Sequence, residues 1–323
     1  MKQKILGFGQ VLWDLTVNVD FSFLEELTID VGEHRLVSFQ EIKELILKLK
    51  KNQHCEIIKN SGGSTANVMS NLAKLGSNSS FCGKCGDDDN GKLYMQILQN
   101  EGVTPYSIID KENATGQLLS LITPDKDRTF IVFWGASEYL PAELVDVKLI
   151  QSFDLVHIEG YLITNSYEAI WKILENSKKT TFDLAAYSII NKTRPLLQKM
   201  MKKYPPYVLF SNIFEGKAFT QKEEPREIID SMLEYSENAV LTLGEEGVLI
   251  KNSKGKEHFQ QAVPTSVLDT TGAGDAFCAG FLHEFLKSGN ENKATELGVK
   301  VASETIKKIG ARSFLIEQLS EKY

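Results

Sequence analysis

The sequence predicts a three-layer α/β/α fold, a central mostly parallel β-sheet between two layers of helices, with a small second β-sheet beside it. Three observations carry this prediction. From Asp154 onward, short apolar runs alternate with stretches of helical periodicity, the pattern of parallel strands joined by right-handed crossovers. Between residues 105 and 135, three strand-like runs follow one another with no helix between them. Together with residues 11–20 and 33–39 they call for a separate small sheet. Residues 269–282, DTTGAGDAFCAGFL, read as a glycine turn running into a buried helix with small residues along one side.

Taken in order, residues 5–9 form a short apolar strand, and residues 10–20 alternate as a strand with one wet face does. Asp14 lies inside that run, where a carboxylate needs donors that a polyhydroxylated ligand supplies; an exposed strand aspartate is the competing reading. A short strand is expected at 34–39 and a helix at 39–52. The run Ser61-Gly62-Gly63-Ser64-Thr65-Ala66-Asn67 ends a strand in two glycines, after which Ser64 or Thr65 caps a helix that stops at Gly76. Paired glycines let a ligand lie against the backbone, and the Asn67 amide both donates and accepts. Next come a strand at 79–86, an acidic turn at 87–91, a helix at 92–101, and strands near 106–110, 116–123 and 128–134. The acidic turn lacks the later glutamate of a calcium loop and reads as a solvated turn.

Strands at 155–159, 180–184, 207–211 and 239–243 then alternate with helices that include 167–176 and 192–203. Ligands on such sheets gather at the carboxyl ends of the strands. Asn212 and Glu215 start at one such end, on one face of a helical turn. At another, Thr242-Leu243-Gly244-Glu245-Glu246-Gly247 turns the chain back into residues 248–250. Residues 262–268 have the β-branched content of a strand approaching a turn. A helix follows from Ala276, and a last one spans 294–309 before Gly310-Ala311-Arg312.

The bulk numbers fit this architecture. At 323 residues, 42% hydrophobic and 24% charged, the chain suits one large domain or two small ones with a well-buried core. A net charge of −7 argues against nonspecific binding to nucleic acid or to an anionic membrane. No stretch approaches the ~18 apolar residues that span a bilayer, and residues 1–7 run straight into a strand, so a cytoplasmic location is expected. Four cysteines (Cys55, Cys82, Cys85, Cys278) are too sparse for a disulfide scaffold. Cys82 and Cys85 have C-x-x-C spacing, but no second Cys/His pair has zinc spacing, and both thiols read as replacements for aliphatic residues.

The glycine turn has a chemical use. Gly272 and Gly274 are free to take backbone angles closed to other residues, and successive N–H groups at a helix N-terminus form a site for an anion. Asp275 at its mouth is placed to accept a proton from a nucleophile attacking that anion, which suggests phosphoryl transfer. A plain strand-to-helix turn with an aspartate cap is the alternative.

The run 269–282 closely resembles the second signature of the ribokinase/PfkB family of carbohydrate and nucleoside kinases, and Gly62–Asn67 resembles the first, closest to its adenosine-kinase branch. The resemblance extends over nearly the whole chain through five ordered motifs: residues 10–14, 62–67, 212–215, 242–247 and 269–282. It implies a single ribokinase-like kinase domain whose small sheet is a lid, drawn from about 11–20, 33–39 and 105–135. It further implies that ATP phosphorylates a primary CH₂OH of a nucleoside, adenosine foremost, or of a sugar such as fructose or ribose. Asp275 would be the general base, with Gly272 in the turn and the amides of Ala273, Gly274 and Asp275 around the transferring phosphoryl group. Gln10, Asp14, Gly63, Ser64, Asn67, Arg128 and Phe133 would bind the acceptor, with Trp13 and Trp134 beside a base; Gln10 departs from the branch's usual asparagine. Asn212, Glu215, Thr242, Gly244 and Gly247 would serve ATP, Glu215 holding Mg²⁺ through water. Asp269 and the backbone at Gly310 mark where some members hold K⁺. A catalytically silent ligand-binding protein on the same fold is the reading from another class, and the presence of Asp275, Asn212 and Glu215 argues against it. Monomer and homodimer are equally compatible with the sequence.

Overall fold

On β1 (Lys4–Phe8) Leu6 and Phe8 enter one hydrophobic cluster and Ile5 another, all fully buried. A strand covered on both faces belongs inside a layered α/β sheet. The computed structural model describes residues 3–51 and 56–320; Asn52 and Cys55 lie outside them. After β1 come β2 (Leu12–Asn18), α1 (Phe21–Leu27), β3 (His34–Leu36), α2 (Phe39–Lys51), β4 (Ile58–Ser61), α3 (Ser64–Lys74), β5 (Asn78–Gly86) and α4 (Asp89–Asn100). They are followed by β6 (Thr104–Asp110), β7 (Gly116–Ile122), β8 (Arg128–Phe133), α5 (Val147–Gln151), β9 (Leu155–Glu159), α6 (Ile163–Asn176), β10 (Thr180–Asp183) and α7 (Tyr187–Lys203). The chain closes with β11 (Val208–Asn212), α8 (Ile213–Thr220), α9 (Pro225–Met232), β12 (Asn238–Thr242), β13 (Gly247–Asn252), β14 (Glu257–Gln261), α10 (Ala273–Ser288), α11 (Glu291–Thr305) and α12 (Ile316–Ser320).

Nine strands form the large sheet in the order β14-β13-β12-β11-β10-β9-β1-β5-β6, parallel except at the β12–β13–β14 edge. One of its faces packs on α6 to α9, the other on α3, α4, α10 and α11. The expected ribokinase-like α/β/α architecture is therefore present. The small sheet has the order β3-β8-β7-β2-β4, and α1 and α2 close its outer face over Leu15, Val17, Leu119, Leu121 and Ile131.

Several expectations need correction. The strand at 106–110 is not in the small sheet: β6 pairs parallel with β5 at the edge of the large one. The carboxylate of Asp110 accepts from the N–H groups of Glu112 and Asn113, a turn that carries the chain to the other sheet. Residues 262–268 are not a strand, because Pro264 has no N–H to donate and the N–H groups of Leu268 and Asp269 both go to Ile306 O. The edge strand is instead β14, whose polar sequence hides it. Cys82 and Cys85 are buried on β5 and unbridged, and burial pushes their thiols up to about 12 and about 11, so neither is a reactive thiolate. Among the described residues, no helix is long and apolar enough to cross a membrane.

Candidate active site

Five adjacent strands of the large sheet end in the residues that carry the chemistry. In sheet order they are β12 with Thr242, β11 with Asn212, β10 with Asp183, β9 with Glu159 and β1, followed after Gly9 by Gln10. At ~4.8 Å per strand this row is about 19 Å long, enough for an acceptor and a triphosphate end to end. Glu159 and Asp183 are register partners and were not singled out by the sequence. A single carboxylate closing an apolar strand gains meaning only once the strand order sets it beside others.

Glu159 is buried and bidentate. One carboxylate oxygen accepts from Gln10 N and the other from Thr65 N, each at 2.7 Å, so it joins the β1–β2 junction to the first turn of α3. Gln10 is itself buried and turns its Nε2 to Ser137 O at 3.4 Å, leaving its backbone rather than its amide at the junction. Gly62 and Gly63 permit the close approach at the start of α3. A Cβ on Gly62 would meet the Asp14 carboxylate at 2.1 Å, and Gly63 has φ +94°.

Opposite α3 stands the glycine turn. Gly272 has φ +73°, and a Cβ there would lie 2.2 Å from Ala311 Cβ, so the turn is closed against the segment after α11. Gly274, in contrast, is ordinary helix with open space where a Cβ would be. Ala273 N donates to Thr270 O, so of the expected amides only those of Gly274 and Asp275 are without an acceptor among the described residues. The Asp275 carboxylate accepts from Ser64 Oγ at 2.7 Å and from Asn67 Nδ2 at 2.8 Å.

The small sheet contributes one face. Strand alternation and register put Asp14, Leu118 and Val132 in one row and Thr16, Ser120 and Phe130 in the next, on the face away from α1 and α2. Asp14 lies against Gly62, next to the Ser61 that accepts from Arg312, and Arg128 of the same sheet donates to Thr271, which sets this face over the glycine turn. Phe133 has the opposite parity and packs on Phe39 at 5.4 Å, so Phe130 and not Phe133 shares Asp14's side. Trp13, also of opposite parity, is buried edge-on to Tyr94 with its indole N–H on Asn90 O, and is not available to a base. Arg128 reaches Thr271 Oγ1 at 3.1 Å and Asp269 Oδ1 at 3.3 Å, tying the small sheet to the glycine turn. A surface depression of about 760 Å³ between residues 18–26 and 122–126 shares none of the carboxylates, and the clustering of charge, not room, locates the site.

Asn212 caps α8 in a reciprocal box with Glu215: Asn212 N and Nδ2 donate to the two Glu215 oxygens, and Asn212 Oδ1 accepts from Glu215 N. Burial pushes Glu215 up to about 7, Glu159 to about 7 and Asp14 to about 6, and it raises Asp183 and Asp275; the charge of Asp275 adds to the rise of the other four. Ser64, Asn67 and Arg312 hold Asp275 down against its burial. A divalent cation held by phosphates would relieve this gathering of like charge, although among the described residues no three His, Cys, Asp or Glu side chains stand close enough to ligate one by themselves. Asp269 differs. Its oxygens accept from Thr271 N, Thr271 Oγ1, Gly310 N and Arg128, and it stays below the usual range despite partial burial. With a guanidinium already paired to it, this carboxylate does not fit K⁺.

A pH dependence follows. Asp14, Glu159 and Glu215 hold their protons more tightly folded than unfolded, so between about pH 4.5 and 7 the unfolded chain carries fewer protons and their contribution to stability falls as pH rises. Buried His157, held down to about 3, opposes them below about pH 6.5, where it charges only in the unfolded chain, and carboxylates held low, such as Asp88 and Asp269, act only below that window. The ligand-free protein is expected to melt higher at pH 5 than at pH 7.5, by on the order of 5 °C. A melting temperature that rises over this interval would contradict the cluster's protonation.

A model of the pfkB family of carbohydrate kinases matches residues 34–318 of the chain. In sequence the chain is 28% identical over 248 residues to an uncharacterised sugar kinase of Archaeoglobus fulgidus, covering 76% of this chain and 97% of that protein. It is 26% identical over 262 residues to the ATP-dependent 6-phosphofructokinase of Thermoanaerobacterium thermosaccharolyticum, covering 77% and 80%. In three dimensions it superimposes on the adenosine kinase of Sinorhizobium meliloti with a TM-score of 0.86 at 24% identity, covering 99% and 98% of the two chains, a likeness of fold.

Proposed function

The chain belongs to the pfkB family of carbohydrate kinases, and from that membership and the site's charge we propose that it transfers the γ-phosphoryl group of ATP to the primary CH₂OH of a neutral nucleoside, adenosine foremost. The family makes it an ATP-dependent sugar or nucleoside kinase; the acceptor is the new element. One observation carries it. The acceptor side presents Asp14, Asp275 and Glu159, and its one buried cation, Arg312, is already paired with Glu101 at 2.7 Å. A sugar phosphate, such as the acceptor named by the 6-phosphofructokinase relative, would bring two more negative charges to carboxylates that already repel one another. The fold likeness to an adenosine kinase and the apolar Leu118, Phe130 and Val132 beside Asp14 favour a flat base over a second polyol ring. A free sugar of the fructose or ribose type is the alternative.

In this reading the whole chain works as one kinase domain. Asp14 and Asn67 orient the acceptor's hydroxyls, with Gly63 and Ser64 at the same turn. Asp275 takes the proton of the primary hydroxyl as its oxygen attacks the γ-phosphorus, and ADP leaves. The N–H groups of Gly274 and Asp275 hold the transferring phosphoryl, where fixed donors at a helix N-terminus meet the charge that spreads in the transition state. Thr242, Gly244 and Gly247 lie at the nucleotide end of the row. When bound, Mg²⁺ would neutralise the phosphates, and Asp183, Glu215 and Asn212 are the residues to hold it and its waters. Arg128 keeps the lid against the turn and so excludes water from the reaction.

The acceptor is tested by kcat/KM over a panel of adenosine, other nucleosides, ribose, fructose and fructose 6-phosphate with Mg-ATP. Preference for a nucleoside is expected; preference for fructose 6-phosphate would overturn the charge argument. Because Arg128 already pairs with Asp269, turnover is expected to be the same in K⁺, Na⁺ and choline buffers, and strong activation by K⁺ alone would show that the pair opens for the cation.

A further inference from the structure

Arg312 follows Gly310 and Ala311 after α11, and its guanidinium is the hub of the acceptor side. Nε donates to Asn67 Oδ1 at 2.9 Å, and Nη1 donates to Ser61 Oγ at 3.0 Å and to Glu101 Oε2 at 2.7 Å. The side chain is only 10% exposed. We propose that Arg312 is a positioning residue for the catalytic base, acting through Asn67; this rests on the reading of Asp275 as that base.

The argument is one of donors and acceptors. A guanidinium has only donors, and an ionised Asp275 has only acceptors. The Asn67 amide lies between them, so it satisfies both in one orientation alone, with its oxygen on Arg312 Nε and its NH₂ on Asp275 Oδ2. Without Arg312 the amide is free to turn over, and a turned amide sets its oxygen against the Asp275 carboxylate. Ser64 would then be the single side-chain donor on Asp275. Arg312 thus fixes the base's direction and that of the Asn67 amide together, and both meet the acceptor.

Two features separate this role from simple tethering of the C-terminal segment. The backbone there is already anchored by α3, with Asn71 Nδ2 on Ala311 O and Lys74 Nζ on Arg312 O. Meanwhile the guanidinium spends Nε on the Asn67 oxygen and Nη1 on Ser61 and Glu101, and its charge also bears on Asp14 and Tyr94, so it serves the acceptor side rather than the segment that carries it. Nothing in the spacing of the sequence shows this, because Asn67, Glu101 and Arg312 come from distant parts of the chain.

The test is a double-mutant cycle on kcat at saturating Mg-ATP, using whichever panel acceptor the wild type phosphorylates best, with Asp275→Asn run alongside. Arg312→Lys keeps a cation for Glu101 but cannot hold Asn67 as well; a kcat loss on the order of 10-fold or more is expected, with KM for ATP unchanged. In an Asn67→Ala background the same substitution is expected to cost almost nothing, because residues acting through one another are not additive. Losses that multiply in the double variant, or wild-type kcat in Arg312→Lys, would overturn the relay while leaving the base intact. Substantial turnover by Asp275→Asn would instead remove the base assignment itself. Glu101→Gln, which loosens the guanidinium's anchor from outside the site, supplies the same cycle if the Lys variant does not fold: a smaller loss that vanishes with Asn67→Ala supports the relay, and one that persists refutes it.

Discussion

Asp275→Asn is expected to lower kcat by about 10³-fold, the scale of a general base that is removed without disturbing its surroundings, while KM for ATP stays near the wild-type value. The substitution is isosteric, and the amide keeps an oxygen for one of the two groups that now donate to the carboxylate, Ser64 Oγ and Asn67 Nδ2. The Ser64 hydroxyl can rotate to accept from the new NH₂. What is lost is the capacity to take a proton. Burial has already raised the carboxyl's affinity for that proton, which suits a base that must collect one from an alcohol. Steady-state ADP release at saturating substrates checks this, and kcat within about tenfold of wild type would mean that another group takes the proton.

Asp14→Ala is expected to reduce kcat/KM for the acceptor by about 10²–10³-fold, since hydrogen bonds to a charged group are worth ~1.5–3 kcal/mol each and two hydroxyls would lose theirs. KM for ATP is expected to stay put. Stability should move the other way: the carboxylate is pushed up to about 6 by its burial and by Asp275, so deleting it relieves a charge that the fold holds at a cost. A variant that melts no lower than wild type at pH 7.5 and has lost its acceptor would fit Asp14 as a binding group. A large fall in melting temperature with kinetics intact would make it a structural aspartate.

Asp275 and Asn67 were within reach of the sequence because their motifs are local. Gly272 and Asp275 lie within one turn, as do Gly63 and Asn67, and backbone physics links each glycine to its neighbours. Glu159 and Asp183 were not, because their meaning comes from the order β1-β9-β10-β11, which depends on pairing between strands far apart in the chain. Phe133 and Trp13 show a different limit. Alternation reveals that neighbours on a strand face opposite ways, but only the register of β2, β7 and β8 tells which parity faces the carboxylates and which faces Phe39 and Tyr94. The polar β14 and the β-branched loop at 262–268 exchanged appearances for a related reason: an edge strand needs little apolar surface, and a proline-containing loop can be rich in it. Ala273 was expected to offer an amide, and it bonds to Thr270 O because residues 270–273 close a tight turn through Gly272 at φ +73°.

The most direct test of the account is to identify the phosphorylated product itself. Wild-type protein, Mg-ATP and adenosine would be incubated and the products resolved by mass and by the position of the new phosphate, with Asp275→Asn and fructose 6-phosphate as parallel reactions. The account predicts one phosphate on the primary hydroxyl of adenosine, ADP in equal amount, no product from fructose 6-phosphate, and almost none from the variant. A bisphosphorylated sugar as the sole product, or equal yield from Asp275→Asn, would contradict it.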